Sequence, residues 1–293
     1  MPPGLIMTET DSKKNVYKNY LQNIRNLPSM PLVMVEVSKL LTNPMTSATD
    51  LGRLIGKDQG LVAKILTVAN SPLYGLPRRV STVEFAIVIL GFDQIKNIVI
   101  ALSMIEAFQS TSDEFWNRDE YWRHSLLTAT ASKKIADELG YPRSGEAFTA
   151  GLLHDLGISV MQRYLNNEFK IISRIVSETG ISYLAAEEET LGLTHQDVGR
   201  FLTDKWNLPQ TLGDAILYHH QPSNSEQNRV LSSIVHLADF MTQVLQTGTF
   251  GWDENYKFDE NVLHILNMGD ASSLQKFIES YEELFIKHME IFK

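Results

Sequence analysis

Residues 150–157, AGLLHDLG, set His154 beside Asp155 in a run whose other side chains are almost all apolar. At helical spacing Phe148, Leu152, Leu153, Leu156, Ile158 and Met161 cover nearly the whole circumference, the pattern of an interior helix. An ionised carboxylate in such a place is costly unless it is paired, hydrogen-bonded or bound to metal. Suitable partners recur in the same half of the chain: His124, His195, His219 and His220, with a second acid at Asp239. Neutral imidazole nitrogens and carboxylate oxygens together suit Zn, Mn or Fe ions. Adjacent residues on a helix diverge by about 100°. His154 and Asp155 therefore reach one ion only if it lies over the edge between them and other helices supply further ligands. The set contains no His-Glu-x-x-His motif. The residues also fit a metal-free reading. Asp155 is then a buried acid hydrogen-bonded to backbone or to His124, and His195 is a first-turn residue after Thr194. His219-His220 is then a helix C-terminus, where a protonated histidine is favoured by the dipole.

The elements that must position these residues read as helices throughout. LVMVEVSKLL (32–41) and LVAKILTVAN (61–70) have helix-period apolar spacing and stop at Asn43-Pro44 and Ser71-Pro72. Ser47 precedes Asp50 by three residues, an analogue of the capping box. TVEFAIVIL is the one strand-like run; its length and its Glu84 and Ala86 make it a buried helix ending at Gly91, and a further helix covers 92–108. The polar, acidic stretch 109–120 marks a boundary between halves. Helical patterns follow at 121–139, 146–164, 167–179, 181–191, 195–206, 209–220, 226–247 and 270–292. Strands do not alternate with helices and no repeat is evident, so the expected fold class is all-α. Trp116, Trp122 and Trp206 are expected to pack between helices, His236 and His264 to be structural or surface residues, and Arg78-Arg79 to be solvated.

Bulk composition narrows the function classes. The chain has 293 residues, 43% hydrophobic and 21% charged, which suits one large globular domain or two. A net charge of −9 argues against nucleic acid as a partner, since that needs a basic face. The absence of cysteine excludes disulfides and thiolate metal sites. MPPGLIMTET lacks the cationic and apolar regions of a secretory signal, and no window offers 18 uninterrupted apolar residues. The expectation is a cytoplasmic protein with no membrane contact.

The order His124, His154-Asp155, His195, His219-His220, Asp239 resembles the metal-ligand order of the HD phosphohydrolase superfamily, including its HD-GYP branch. LPSMPLVMVEVSKLL, DLGRLIGKDQGLVAKILTVANSPLYG and VSTVEFAIVILGFDQIKNIV resemble the amino-terminal part of HDOD (HD-related output) domains, and the likeness runs from about residue 20 to 245. The resemblance implies a multi-helix HD-like bundle with an additional amino-terminal helical lobe. It divides the chain into a tail (1–14), that lobe (15–115), a metal-site lobe (116–250) and a carboxy-terminal helical extension (251–293). It implies a bacterial signal-transduction output module with a protein partner, or alternatively a phosphohydrolase acting on a nucleotide or cyclic dinucleotide, the nucleotide then being its ligand. It also implies one or two divalent ions (Fe, Mn or Zn). One would be held by His124, His154, Asp155 and Asp239, the second by His195, His219 and His220, with Asp155 the catalytic group if the centre turns over. Two departures weigh against turnover. Ile158 stands where the catalytic branch places a lysine, and HHQPSNSEQN replaces its Gly-Tyr-Pro segment; Arg123 is the remaining candidate cation.

Overall fold

Short polar side chains set seven of the helix starts among the described residues. Ser47 Oγ accepts from the Asp50 N–H while Asp50 accepts from the Ser47 N–H, so the expected capping box is complete. Asp58, Thr82, Asn117, Ser182, Thr194 and Asp270 cap other helices through their side chains. The computed structural model describes residues 9–24, 28–76, 78–108, 111–253 and 257–290. Among them the helices are α1 (Glu9–Asn23), α2 (Leu32–Leu41), α3 (Ala48–Ile55), α4 (Gln59–Ala69), α5 (Val83–Leu90) and α6 (Phe92–Ala107). Next come α7 (Arg118–Glu138), α8 (Ser144–Leu153), α9 (Leu156–Tyr164), α10 (Asn166–Thr179), α11 (Tyr183–Leu191) and α12 (His195–Lys205). The chain continues through α13 (Gln210–Tyr218), α14 (Arg229–Val244), α15 (Asn261–Ile265), α16 (Ala271–Glu279) and α17 (Glu282–Glu290). No strand occurs among the described residues, so the fold is all-α.

The apolar core does not pause at 109–120. One cluster runs from Leu21 and Val37 through Ile98 and Phe108 to Phe148, Ile158, Phe169 and Leu202. A second joins α7, α8, α13 and α14 to the carboxy-terminal helices through Ile135, Val235, Tyr281 and Phe285. The helix α1 starts at Glu9, inside the stretch expected to be a tail; residues 1–8 of that tail, and 109–110 of the boundary stretch, lie outside the described residues. It lies on the second half of the chain, where Tyr17 Oη donates to Glu168 at 3.3 Å and Tyr20 Oη to the Tyr164 carbonyl at 3.0 Å.

Three expected helices differ from the sequence reading. The span 146–164 is two helices, broken at His154 (φ −53°, ψ −39°) and Asp155 (φ −98°, ψ 14°). The span 270–292 divides into α16 and α17, with 291–292 outside the described residues. The third, α5, is not buried all round: Val83, Ala86 and Ile87 face the core, while Phe85, Val88 and Ile89 are 43%, 69% and 44% exposed. Trp116 packs against Tyr121, Phe169 and Phe250, and Trp206 stacks on Phe108. Trp122 is half-buried beneath Lys64, Arg78 and Arg79 are exposed, and so is His264.

Candidate metal centre

Five helix segments converge on one point. His124 comes from the second turn of α7, His154 and Asp155 from the α8–α9 break, and His195 from the first residue of α12. His219 and His220 follow the end of α13, and Asp239 lies within α14. Glycines allow the close crossings this requires. A Cβ on Gly157 would sit 1.9 Å from the His195 carbonyl oxygen, so only glycine lets α9 approach the start of α12. A Cβ on Gly151 would sit 2.9 Å from the Ala129 Cα and 2.6 Å from Ser132 Oγ, which fixes how α8 meets α7.

The break between α8 and α9 answers the question posed by His154 and Asp155. It turns both side chains inward, and the two carboxylate oxygens of Asp155 then serve two sides. Oδ2 lies 3.3 Å from His154 Nε2 and 3.7 Å from His124 Nε2. Oδ1 lies 3.5 Å from His195 Nε2 and 3.6 Å from His219 Nε2. His124, His154 and Asp155 form one group able to hold a metal ion, and His195, His219 and His220 form another. Asp239 flanks the first group, its Oδ1 at 3.3 Å from His124 Nε2 and 3.8 Å from His154 Nε2. Neither Asp239 oxygen accepts a hydrogen bond. The seven side chains are buried, His220 alone retaining a few per cent of exposure.

Protons are accounted for on the outer side of the rings. His124 Nδ1 donates to the Gly248 carbonyl at 2.9 Å, His154 Nδ1 to Gly151 at 2.8 Å and His219 Nδ1 to Ile216 at 2.7 Å. His195 Nδ1 donates to the Glu187 carboxylate at 2.9 Å. In a neutral imidazole the other nitrogen then carries a lone pair. Those lone pairs face each other, His124 to His154 at 3.2 Å and His195 to His219 at 3.3 Å, while His220 Nε2 lies 3.2 Å from His195 Nε2. Opposed lone pairs beside buried carboxylates repel unless a cation lies between them, and outward Nδ1–H bonds are how metal-binding histidines are oriented. The donor set, imidazole and carboxylate without sulfur, fits Zn, Mn or Fe.

His236 belongs to a different role. It donates through Nδ1 to the His219 carbonyl at 2.7 Å and accepts the Asp259 N–H on Nε2 at 2.9 Å, so neither ring nitrogen is left for a metal. Burial holds it down to about 4, which keeps the ring neutral. Ile158 is fully buried in the apolar core, so no cation occupies that place in α9. Arg123 lines a cleft of about 390 Å³ with Glu120 and with Gly248, Thr249 and Gly251 of the strap that follows α14.

Sequence reasoning missed Glu187 and the strap. Glu187 is buried while Glu188 and Glu189, which follow it, are exposed, and it accepts from the His195 N–H as well as from its ring. Its signal was its register: Tyr183 and Leu191, four residues either side, place it on the inward face of α11.

A buried His/Asp centre in which one carboxylate faces two histidine groups defines the class of site, and comparison with known proteins places the chain. It belongs to the HDOD domain family, whose family model matches residues 27–222; Asp239 and the strap lie beyond that match. A curated protein of Treponema pallidum (strain Nichols), described as uncharacterized, is 25% identical over 249 residues, 84% of this chain and 48% of its own. The chain thus spans about half the length of the curated relative it matches. An HDOD domain protein of unknown function from Geobacter sulfurreducens has the same fold at 24% identity, TM-score 0.79, covering 97% of this chain and 99% of the other. A candidate signal-transduction protein of Marinobacter aquaeolei VT8 aligns at 20% identity and TM-score 0.73 over 98% of this chain and 66% of its own. A candidate metal-dependent phosphohydrolase of Shewanella amazonensis SB2B aligns at 20% identity and TM-score 0.64 over 94% and 98%. No described helix is long and apolar enough to cross a membrane.

Proposed function

We propose that the protein is a bacterial signal-transduction output module built around a closed binuclear metal centre. The observation that carries this reading is the arrangement of four imidazoles, each with Nδ1 hydrogen-bonded outward, whose Nε2 atoms converge around Asp155, with His220 completing the second group. His124, His154, Asp155 and Asp239 would hold one divalent ion, and His195, His219 and His220 a second, with Asp155 between them. Such ions, when bound, act as Lewis acids and fix the surrounding helices. Two divalent ions against the carboxylates of Asp155, Asp239 and Glu187 leave one net positive charge, room for a single anionic ligand.

Closure of the centre supports signalling over turnover. Every ligand side chain is buried, and where a hydrolase needs a cation against the phosphate the chain has Ile158 in the core. A module that works by contact also needs an apolar surface, and Phe85, Val88, Ile89 and Phe92 form an exposed stripe suited to a protein partner. The second reading, a metal-dependent phosphohydrolase for a nucleotide or cyclic dinucleotide, is supported by the complete ligand set and by Arg123 in the cleft behind the strap. Elemental analysis of the purified protein tests the first reading: two equivalents of Fe, Mn or Zn are expected, and none would overturn it. A panel of cyclic dinucleotides, cyclic mononucleotides and nucleoside phosphates tests the second. Turnover of about 1 s⁻¹ or faster, abolished by His154→Ala and Asp155→Ala, would replace the signalling reading.

A further inference from the structure

Glu187 is fully buried, and three neutral N–H groups converge on its carboxylate. The His195 backbone N–H reaches Oε2 at 2.8 Å, the His195 ring Nδ1–H reaches both oxygens at 2.9 and 3.0 Å, and the Trp252 indole N–H reaches Oε1. No lysine or arginine pairs with it among the described residues. A buried anion held only by neutral donors needs compensating charge nearby. The nearest place for it is across the His195 ring, where Nε2 faces His219 and His220 at 3.3 and 3.2 Å.

The same carboxylate is where the strap ends. Residues 248–252 cross the centre from one histidine group to the other. At one end the Gly248 carbonyl accepts from His124, and the Phe250 ring lies 5.9 Å from the His124 ring. At the other end Trp252 stacks on Phe169 at 4.2 Å and on Tyr183 at 4.3 Å, and its indole N–H points at Glu187. The strap is therefore bonded directly to a histidine of the first group and, through Glu187, to one of the second.

We propose that Glu187 is the positioning residue of the second subsite and that Trp252, sharing its carboxylate, ties the seating of the strap to that subsite's occupancy. The proposal rests on the binuclear reading. A carboxylate on Nδ1–H makes the imidazole a stronger donor at Nε2 and fixes the ring plane. An ion on Nε2 in turn makes Nδ1–H more acidic, tightens its bond to Oε1 and Oε2, and changes what the indole N–H meets on Oε1. The strap thus registers the second ion through one hydrogen bond and the first through another.

Metal-free full-length protein is titrated with Co²⁺, following the ligand-field absorption, the stoichiometry and the tryptophan emission, for wild type, Glu187→Gln and Trp252→Phe. Wild type is expected to bind two ions. Glu187→Gln should bind one ion unchanged and the other about 10–100-fold more weakly, with the ligand-field bands of that ion alone displaced. Trp252→Phe should weaken the same ion by a smaller factor and lose the emission change that accompanies it, and it carries the test if Glu187→Gln does not fold. Two ions of unchanged affinity in both variants, or loss of both ions together, overturn the proposal while leaving the binuclear reading standing. An emission change that survives in Trp252→Phe overturns the part assigned to the strap. A wild type that binds no ion overturns the binuclear reading and this proposal with it.

Discussion

Asp239→Asn isolates the first subsite. It keeps the shape of a buried side chain that accepts no hydrogen bond, and it removes the charge 3.3 Å from His124 Nε2. An ion at about 100 times its dissociation constant stabilises the folded state by about 2.7 kcal/mol. For a chain of 293 residues, an unfolding entropy of about 2.1 cal/mol/K per residue turns that into roughly 4 °C of Tm per ion. If the substitution weakens the first ion about 100-fold, the metal then sits near its dissociation constant and contributes only about 0.4 kcal/mol, under about 1 °C. The assay is thermal unfolding by circular dichroism, in chelator and in metal, for wild type and variant. The readout is the metal-induced shift of each protein, which cancels whatever the substitution does without metal. Wild type should shift by about 8 °C and the variant by about 5 °C. Equal shifts in the two proteins would refute the assignment of Asp239 as a ligand, and no shift in either would refute the metal centre.

Three further outcomes follow from particular contacts. Gly157→Ala places a Cβ 1.9 Å from the His195 carbonyl; it should cost about 3 kcal/mol or more in urea unfolding and weaken the second ion, and a neutral result would deny that this crossing is tight. Val88→Asp, at a side chain 69% exposed, should change stability by no more than about 0.5 kcal/mol and leave metal stoichiometry intact; a large loss would mean the α5 stripe is covered within the chain. His288 is held down to about 4 by burial, below its unfolded value of about 6.5. The folded state stays neutral while the unfolded chain takes a proton, so this stability is present above about pH 6.5 and lost as pH falls toward 4. Between pH 7 and 5 wild type should lose about 2 kcal/mol more than His288→Leu, and parallel pH profiles would contradict it.

Helices were legible wherever a 3.6-residue apolar period met a polar cap, as at Ser47 and Thr194, because both signals are local. Two failures of that rule are informative. In α5 the run VEFAIVIL is apolar apart from Glu84, a single charge that says little about the rest of the outer face; the packing of Ala86 and Ile87 against the core leaves Val88 exposed. At 146–164 the apolar pattern continues through His154 and Asp155 although the helix does not, and the close crossing of α9 with distant α12 at Gly157, two residues on, has no local sequence signal. The histidines and aspartates stood out as polar groups in apolar helices, and the resemblance to the HD phosphohydrolase order set them together as candidates. Glu187 did not stand out, since one buried acid among three consecutive glutamates looks like a solvated face unless its neighbours four residues away are weighed. The strap could not be read at all: Gly248 acts through its carbonyl, which carries no sequence signal, and Trp252 through a partner 65 residues away.

The break at His154-Asp155 also bears on what the centre can do. On an unbroken helix the two side chains would diverge by about 100°, and one carboxylate could not face two histidine groups. Because the chain turns there, Asp155 spends both oxygens inward, one toward His154 and His124 and the other toward His195 and His219. If two ions were bound, a carboxylate between them would be a poor proton acceptor for a substrate water, since each oxygen is directed at the ligand set. Turnover would then need a second base and a cation for the phosphate, and the position in α9 that could supply the cation is Ile158, buried in the core. Arg123 lines a cleft with Gly248, Thr249 and Gly251, and the strap they belong to is hydrogen-bonded to His124 and Glu187. The proposed ligands His124 and His195 and the strap thus share one set of hydrogen bonds, which supports the proposal of a centre whose occupancy would set a conformation over one that admits substrate.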